Sequence, residues 1–153
     1  MIEAVIFDWE CLYKGKGGVF EDTRPSLIEL QNAGIKMGLV SISNNKPMKE
    51  LEVELSCLED YFHTKIFSKD LRGLSQLQYY GYINLMGSKV DTTVLINRNP
   101  KLFNNGTEMG FQTFFLKRIG FPLDMPNGKN RHQTPVASSL NEILPYILKP
   151  GNF

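Results

Sequence analysis

The stretch that decides the fold is AVIFDWECLY, residues 4–13. Residues 2–7 form a mostly apolar run with one charged residue, Glu3; the run is rich in β-branched and aromatic side chains and ends abruptly at Asp8. A short continuous apolar run is typical of a strand that is buried on both faces of a parallel sheet. We therefore predict a buried parallel strand with Asp8 at its carboxyl end.

Strand and helix patterns alternate along the rest of the chain. Strands are predicted at residues 35–42, 62–67, 92–96 and 111–116, and helices at residues 23–33, 45–58 and 138–148. Residues 69–90 fit a helix less well, because Gly81 and Gly87 interrupt the apolar pattern. This alternation predicts an α/β three-layer sandwich, in which a mostly parallel sheet carries helices on both faces. No linker or change in composition divides residues 1–153, so we expect a single domain.

Composition limits the functional classes. The chain has 153 residues, of which 42% are hydrophobic and 22% charged, with a formal net charge of +1. Such values indicate a globular domain, and the charge balance argues against a general nucleic-acid binder, which needs a strong basic excess. The sequence shows neither an apolar stretch of membrane-spanning length nor a secretory signal. Cys11 and Cys57 are expected to be reduced thiols in a cytoplasmic protein.

Catalytic or binding residues are expected where the strands end, because sites in open α/β sheets lie beyond the carboxyl ends of the strands. Asp8 occupies such a position, and a carboxylate there can act as a covalent nucleophile toward phosphorus. Taken alone, an aspartate that ends a strand more often starts a turn. The interpretation of Asp8 therefore depends on the motifs around it.

Those motifs resemble the haloacid dehalogenase (HAD) superfamily over nearly the whole chain. AVIFDWECLY resembles the first motif, hhhhDxDGTL, and FEDTRPSLIELQNAGIKMGLVSIS is similar to the first helix and second strand. LEDYFHTKIFS resembles the approach to the third strand, and PVASSLNEILPYIL resembles the closing helix. TTVLINRNPKLFNNGTEMGFQTFFLKRIG aligns without a gap on the pattern hhhhGDSxxxDIxxAxxAGhxThhh. The resemblance implies a HAD-like Rossmannoid fold, and the short segments between the motifs imply that it has no cap domain.

The resemblance also implies roles for individual residues. Asp8 stands where the family has the nucleophile that attacks phosphorus, and Glu10 stands where it has the acid that protonates the leaving group. Ser41 stands where a hydroxyl holds the phosphoryl group, and Ser43 is a substitute for it. The lysine of the third motif has no clear counterpart. Candidates for its role as a phosphate-binding cation are Arg72, Lys69 and Lys89.

Several positions depart from the family pattern. Glu10 replaces an aspartate, and Leu12 replaces the threonine that orients the nucleophile. Asn97 and Leu102 replace the carboxylates that hold Mg²⁺. Asp8 and Asn97 are then the predicted metal ligands, and because Mg²⁺ prefers anionic oxygens we expect it to bind weakly or to be absent.

Two functions follow from this pattern. The first is a phosphohydrolase that acts through an aspartyl-phosphate at Asp8, with weak or impaired activity. The alternative is a catalytically inactive HAD-like protein that binds a phosphorylated ligand or a protein partner. The aromatic segment Tyr79, Tyr80 and Tyr82, together with the missing cap, predicts a homo-oligomer that uses residues 79–82. No membrane partner is expected, and the composition disfavours a nucleic-acid partner.

Overall fold

The computed structural model describes residues 1–118 and 136–148 of the chain. Its strands are β1 (Ala4–Asp8), β2 (Lys36–Ile42), β3 (Thr64–Ser68), β4 (Thr93–Asn97), β5 (Gln112–Leu116) and β6 (Val136–Ala137). Its α-helices are α1 (Thr23–Asn32), α2 (Lys46–Ser56), α3 (Gln76–Met86), α4 (Pro100–Glu108) and α5 (Leu140–Leu148). Residues 119–135 and 149–153 lie outside these ranges, and the single domain expected for residues 1–153 stays a prediction.

The strands form one sheet in the order β3-β2-β1-β4-β5-β6, and every neighbouring pair is parallel. β1 lies inside the sheet. β2 and β3 follow on one side of it, and the chain then crosses to β4 on the other side of β1. The strand order therefore reverses between β1 and β4, and the crevice that forms at such a reversal is where open α/β sheets bind ligands. This architecture confirms the predicted α/β class.

Helices cover both faces of the sheet and produce two apolar cores. Val5 and Phe7 of β1 point into one core, to which α1, α2 and α5 contribute, whereas Ala4 and Ile6 point into the other, to which α3 and α4 contribute. Successive side chains of a strand alternate between the faces of a sheet, and a strand buried on both faces is therefore apolar throughout. The observed layers are those of the three-layer sandwich that the sequence predicts.

Residues 69–90, in which two glycines interrupt the apolar pattern, contain α3. Ser75 caps this helix in a capping box with Gln78, and Gly87 ends it in the left-handed conformation with φ 67°. Gly81 lies within the helix, where a Cβ would meet no atom within 4 Å. The two glycines therefore do not break the element, because one is its terminator and the other faces open space.

Two of the tyrosines in this segment are core residues. Tyr79 and Tyr82 are buried between α3 and the sheet, and the Tyr82 hydroxyl bonds the backbone of Leu39 and of Thr64. Tyr80 is exposed and is the tyrosine of this segment that could meet a partner. The homo-oligomer stays a prediction, and the aromatic surface available for it is smaller than the three tyrosines in the sequence indicate.

Gly38 of β2 supplies a first stability prediction. A Cβ at Gly38 would lie 2.4 Å from Cε1 of Tyr82. Gly38→Ala must displace a ring whose hydroxyl joins β2 to β3, so we expect it to lower the free energy of unfolding by roughly 2–3 kcal/mol, as overpacking does. Gly81→Ala is the matched control and should raise stability by up to about 1 kcal/mol, because alanine favours helix. Urea denaturation measures both, and equal effects of the two substitutions would contradict the packing.

No helix within the described residues is long and apolar enough to span a lipid bilayer.

Candidate functional site

Asp8 lies at the carboxyl end of β1, beside the point where the strand order reverses. One carboxylate oxygen, Oδ2, accepts hydrogen bonds from the backbone nitrogens of Arg98 at 3.1 Å and Asn99 at 2.9 Å. The other, Oδ1, accepts a longer bond of 3.3 Å from the backbone nitrogen of Glu10. The chain after β4 therefore supplies the donors that fix the carboxylate, and Oδ1 is its less engaged oxygen.

Burial makes this carboxyl group less acidic than usual. Only 1% of Asp8 is exposed. Loss of hydration, followed by the charge of Glu10, raises the pKa of Asp8 from its ordinary 3.8 to about 6, although the three backbone donors oppose the change. A carboxyl group with this pKa is mostly ionised at neutral pH and is therefore available as a nucleophile.

Glu10 extends from the turn after β1 and belongs to a polar chain of contacts. Its carboxylate lies 2.9 Å from Nζ of Lys49, which is also 3.2 Å from the carboxylate of Glu52. Glu52 in turn accepts a 3.1 Å hydrogen bond from the indole of Trp9. Burial opposes the charge of Lys49, but hydrogen bonds to the two glutamates and their charges outweigh it and raise the pKa of the ammonium group. Lys49 is thus a fixed cation beside the predicted acid.

The family motifs do not point to Lys49 as a phosphate-binding cation. The sequence feature that could have indicated Lys49 is its place near the start of α2, because this helix begins soon after β2 ends at the carboxyl edge of the sheet. Arg72, the candidate named for phosphate binding, is highly exposed and pairs with Asp70 through Nε at 2.9 Å and through a second nitrogen at 3.0 Å. It follows β3, which is separated from β1 by β2, so its role in phosphate binding stays a prediction.

Ser41 and Ser43 lie near the end of β2, the neighbour of β1. Val40 is the register partner of Asp8, so the side chain of Ser41, one residue further on, points to the opposite face of the sheet. The Ser41 hydroxyl is buried and has no hydrogen-bond partner in the described part of the chain. The Ser43 hydroxyl accepts a 3.0 Å bond from the backbone of Asn45. Both serines are therefore near the carboxyl edge, and their binding of phosphate stays a prediction.

Asn97 ends β4, next to Asp8 across the sheet. The preceding residues, Phe7 and Ile96, are register partners, so the side chains of Asp8 and Asn97 point to the same face. Asn97 is buried, and its side-chain nitrogen has no partner among the described residues. An unpaired buried amide is costly, and it is explained if a ligand accepts a hydrogen bond from it.

The residues around Asp8 do not fit Mg²⁺. Leu102, where the family has a carboxylate, is fully buried in the core between α3, α4 and the sheet. Residues 1–118 and 136–148 contain no group of three or more His, Cys, Asp or Glu side chains that could hold a metal ion. Of the positions that the family pattern assigns to metal binding, the described residues offer the carboxylate of Asp8 and the amide of Asn97, which is a poor set for an ion that requires near-octahedral oxygen coordination.

A second ion pair, between Arg118 and Asp22, lies beside the turn that follows β1. Arg118, which follows β5, bonds both carboxylate oxygens of Asp22 at 2.7 and 2.9 Å and the carbonyl oxygen of Cys11. Asp22 also accepts a bond from the backbone of Leu140, at the start of α5. This buried pair links three elements around the turn after Asp8. An open groove of about 540 Å³ lies beside it, with Lys14 among its lining residues.

Comparison with solved structures identifies the architecture. A dehalogenase solved with an intermediate complex superposes with a TM-score of 0.66 at 20% identity, covering 86% of this chain and 57% of that one. A HAD phosphatase from Thermococcus onnurineus gives 0.65 at 23% identity, covering 86% and 59%. A protein from Listeria monocytogenes serotype 4b gives 0.69 at 13% identity, covering 93% and 94%. No protein-family model and no curated protein matches the sequence.

These similarities define the class of protein. The chain has the HAD-like α/β fold, and its described part contains no cap domain. It spans less than two thirds of the dehalogenase and of the phosphatase, and nearly all of the Listeria protein. At these identities the similarity shows the fold, and the chemistry must be argued from the residues of this chain.

Proposed function

We propose that the crevice beside Asp8 binds the phosphoryl group of a phosphate ester and hydrolyses the ester slowly through an aspartyl-phosphate. The observation that carries this proposal is the way Asp8 is held. Two backbone donors fix Oδ2, whereas Oδ1 has one long bond to the backbone of Glu10. Oδ1 therefore keeps a lone pair for attack, on a carboxyl group that is mostly ionised at neutral pH.

The first step forms a bond between Oδ1 of Asp8 and phosphorus and breaks the bond from phosphorus to the leaving oxygen. The leaving oxygen keeps the electron pair and takes a proton from the carboxyl group of Glu10. In the second step Glu10 accepts a proton from water as the water oxygen attacks phosphorus. The bond from phosphorus to Asp8 then breaks, which releases phosphate and restores the carboxylate.

Two features make this reaction slow. Glu10 must leave the ammonium group of Lys49, 2.9 Å away, before it can serve the leaving group. Leu12, where the family has a threonine, is buried and cannot donate a hydrogen bond to the nucleophile. Catalysis of phosphoryl transfer depends mainly on positioning and on electrostatic stabilisation, so both features lower the rate.

A second candidate function is binding of a phosphorylated ligand without turnover. Asp8 is 1% exposed, and the donor set around it does not fit a divalent metal. A site of this kind can still hold a phosphate through the side-chain nitrogen of Asn97, which has no hydrogen-bond partner among residues 1–118 and 136–148. Binding without Asp8-dependent phosphate release would favour this candidate over hydrolysis.

Glu10→Gln tests the proposed chemistry. With a generic aryl phosphate as substrate, we expect the rate of phosphate release to fall about a hundredfold or more, as is usual when a general acid is lost. Glu50→Gln, which changes an exposed acid of α2, is the matched control and should release phosphate at the wild-type rate. In the wild type, kcat/KM should rise as the pH passes through about 6, because Asp8 attacks only when ionised. Equal rates for both variants would exclude Glu10 as the acid.

A further inference from the structure

Two buried tyrosines of α3, three residues apart, have hydroxyl groups in different surroundings. Tyr79 and Tyr82 are each 2% exposed. The hydroxyl of Tyr82 accepts a hydrogen bond from the backbone nitrogen of Leu39 at 2.6 Å and lies 2.9 Å from the carbonyl oxygen of Thr64. Within residues 1–118 and 136–148, the hydroxyl of Tyr79 makes no hydrogen bond. A buried hydroxyl without a partner is costly, so that of Tyr79 requires an explanation.

The direction of α3 places Tyr79 nearer than Tyr82 to the carboxyl edge of the sheet. At the end of the helix, the carbonyl oxygen of Met86 accepts a 2.9 Å hydrogen bond from Nζ of Lys36. Lys36 is the first residue of β2, so α3 ends at the amino edge of the sheet and runs opposite to the strands. Residues earlier in α3 therefore lie closer to the edge where β1 and β4 end.

The spacing of the two tyrosines brings Tyr79 to the level of Asp8. Tyr82 bonds the backbone of Leu39, and the register partner of Leu39 in β1 is Phe7. Three helical residues advance about 4.5 Å along the helix axis, whereas one strand residue advances about 3.3 Å. Tyr79 is therefore displaced from Tyr82 by slightly more than one strand residue, toward the position of Asp8.

Asp8 and Asn97 point to the face of the sheet that Tyr79 covers. Ile6 and Leu95, two residues earlier in β1 and β4, belong to the same apolar core as Tyr79, and side chains two residues apart in a strand share a face. Burial, followed by the charge of Asp8, raises the pKa of the Tyr79 hydroxyl, which therefore keeps its proton. The side-chain nitrogen of Asn97 has no partner among the described residues. Both Tyr79 and Asn97 thus present a donor on the side to which the nucleophile points.

From this placement we infer that the hydroxyl of Tyr79 binds the phosphoryl group and donates a hydrogen bond to one of its oxygens from the α3 side of the crevice. The inference rests on the proposed function, because it assigns a further binding residue at the same site. Hydrogen bonds to a charged acceptor are stronger than those between neutral groups, so a phosphate oxygen compensates the burial of this hydroxyl well. Asn97 donates to the same group from the end of β4.

The test is calorimetric titration of the full chain with inorganic phosphate, combined with urea denaturation. Tyr79→Phe removes the hydroxyl and keeps the ring, so we expect phosphate binding to weaken by about tenfold or more. This variant should unfold at the same urea concentration as the wild type, because no hydrogen bond among the described residues is lost.

Tyr82→Phe is the matched control on the same helix. It loses the hydrogen bonds to the backbone of Leu39 and Thr64, so it should unfold at a lower urea concentration than the wild type. Its hydroxyl is engaged in the middle of the sheet and not at the crevice, so its affinity for phosphate should equal that of the wild type.

The outcomes separate this inference from the proposed function. Wild-type protein that binds phosphate, with unchanged affinity in Tyr79→Phe, would overturn the role of Tyr79 and leave the proposed function standing. Wild-type protein that binds no phosphate would overturn both. A loss of stability in Tyr79→Phe equal to that in Tyr82→Phe would assign the hydroxyl to the fold and overturn the inference.

A second measurement decides the question if Tyr79→Phe does not fold by circular dichroism. A phenol that begins to donate to phosphate shifts its ultraviolet absorption to longer wavelength. We expect this shift when phosphate is added to the wild type, and an equal shift in Tyr80→Phe and Tyr82→Phe. Absence of the shift in the wild type, or its loss in either variant, would overturn the inference.

Discussion

Asp8→Asn is expected to abolish phosphate release and, at the same time, to stabilise the protein near neutral pH. Burial raises the pKa of Asp8 from 3.8 to about 6, so keeping this group ionised costs the folded state up to roughly 3 kcal/mol, at about 1.4 kcal/mol for each pH unit. Asparagine removes the charge and keeps an oxygen for the Arg98 and Asn99 donors. The side-chain nitrogen of the asparagine then faces the backbone nitrogen of Glu10, and these two donors cannot bond each other. Because this loss offsets part of the benefit, we expect the free energy of unfolding to rise by about 1–2 kcal/mol.

The pH dependence of this gain follows from the sign of the pKa change. The folded state binds the Asp8 proton more firmly than the unfolded chain does, so the contribution of Asp8 is most favourable below about pH 4 and is lost as the pH rises to about 6. The advantage of Asp8→Asn should therefore grow between these values and stay constant above them. Denaturation at a series of pH values measures it.

Asp22→Asn is the matched control for a buried aspartate. It breaks the ion pair with Arg118 and leaves a guanidinium that is 6% exposed without its charged partner. Breaking a buried pair in this way typically costs about 3–5 kcal/mol, so this variant should be less stable than the wild type. Loss of stability in both variants, with no dependence on pH for Asp8→Asn, would contradict the account of Asp8.

Leu102→Asp, which restores a family acid, is expected to unfold the protein rather than to create a metal site. Leu102 is fully buried among the side chains of α3, α4 and the sheet. A carboxylate there is surrounded by the apolar side chains of this core, and the cost of burying it reaches several kcal/mol in a domain whose total stability is about 5–15 kcal/mol. Circular dichroism and urea denaturation measure the effect.

Leu102→Met controls for the loss of leucine shape, and it should cost less than about 1.5 kcal/mol because it conserves volume. Asn97→Asp keeps the size of the side chain at the edge of the sheet and separates the effect of charge near Asp8 from that of charge in the core. A folded Leu102→Asp protein that binds Mg²⁺ tightly would show that the crevice accepts a metal after all.

The sequence predicts the sheet well because its strands are continuous apolar runs that end at polar residues. Asp8 and Asn97 mark the ends of two such runs, and Asn45 is the N-cap of α2, as its place before the helix indicates. The predicted strand boundaries differ from the observed ones by at most two residues, and Asp8 and Asn97 themselves belong to β1 and β4. Pro145 lies within α5 and does not end it.

Tertiary packing accounts for what the sequence does not reveal. Tyr79 and Tyr82 belong to the core because α3 turns them toward the sheet, and a run of tyrosines does not by itself tell which side they face. Lys49 meets Glu10 across 39 positions of sequence, and only the placement of α2 brings them together. One sequence feature could have placed Arg98 beside Asp8: it is a charged residue directly after the predicted metal ligand Asn97.

The measurement that tests the central claim most directly is trapping of the phosphoryl group on Asp8. Glu10→Gln protein, in which the second step has lost its base, is mixed with a radiolabelled aryl phosphate in EDTA and quenched with acid. The account predicts label bound to the protein, removed by hydroxylamine as an acyl phosphate, and absent when Asp8→Asn is added. Phosphate release by the wild type without any such label, or label that persists in the Asp8→Asn variant, would contradict it.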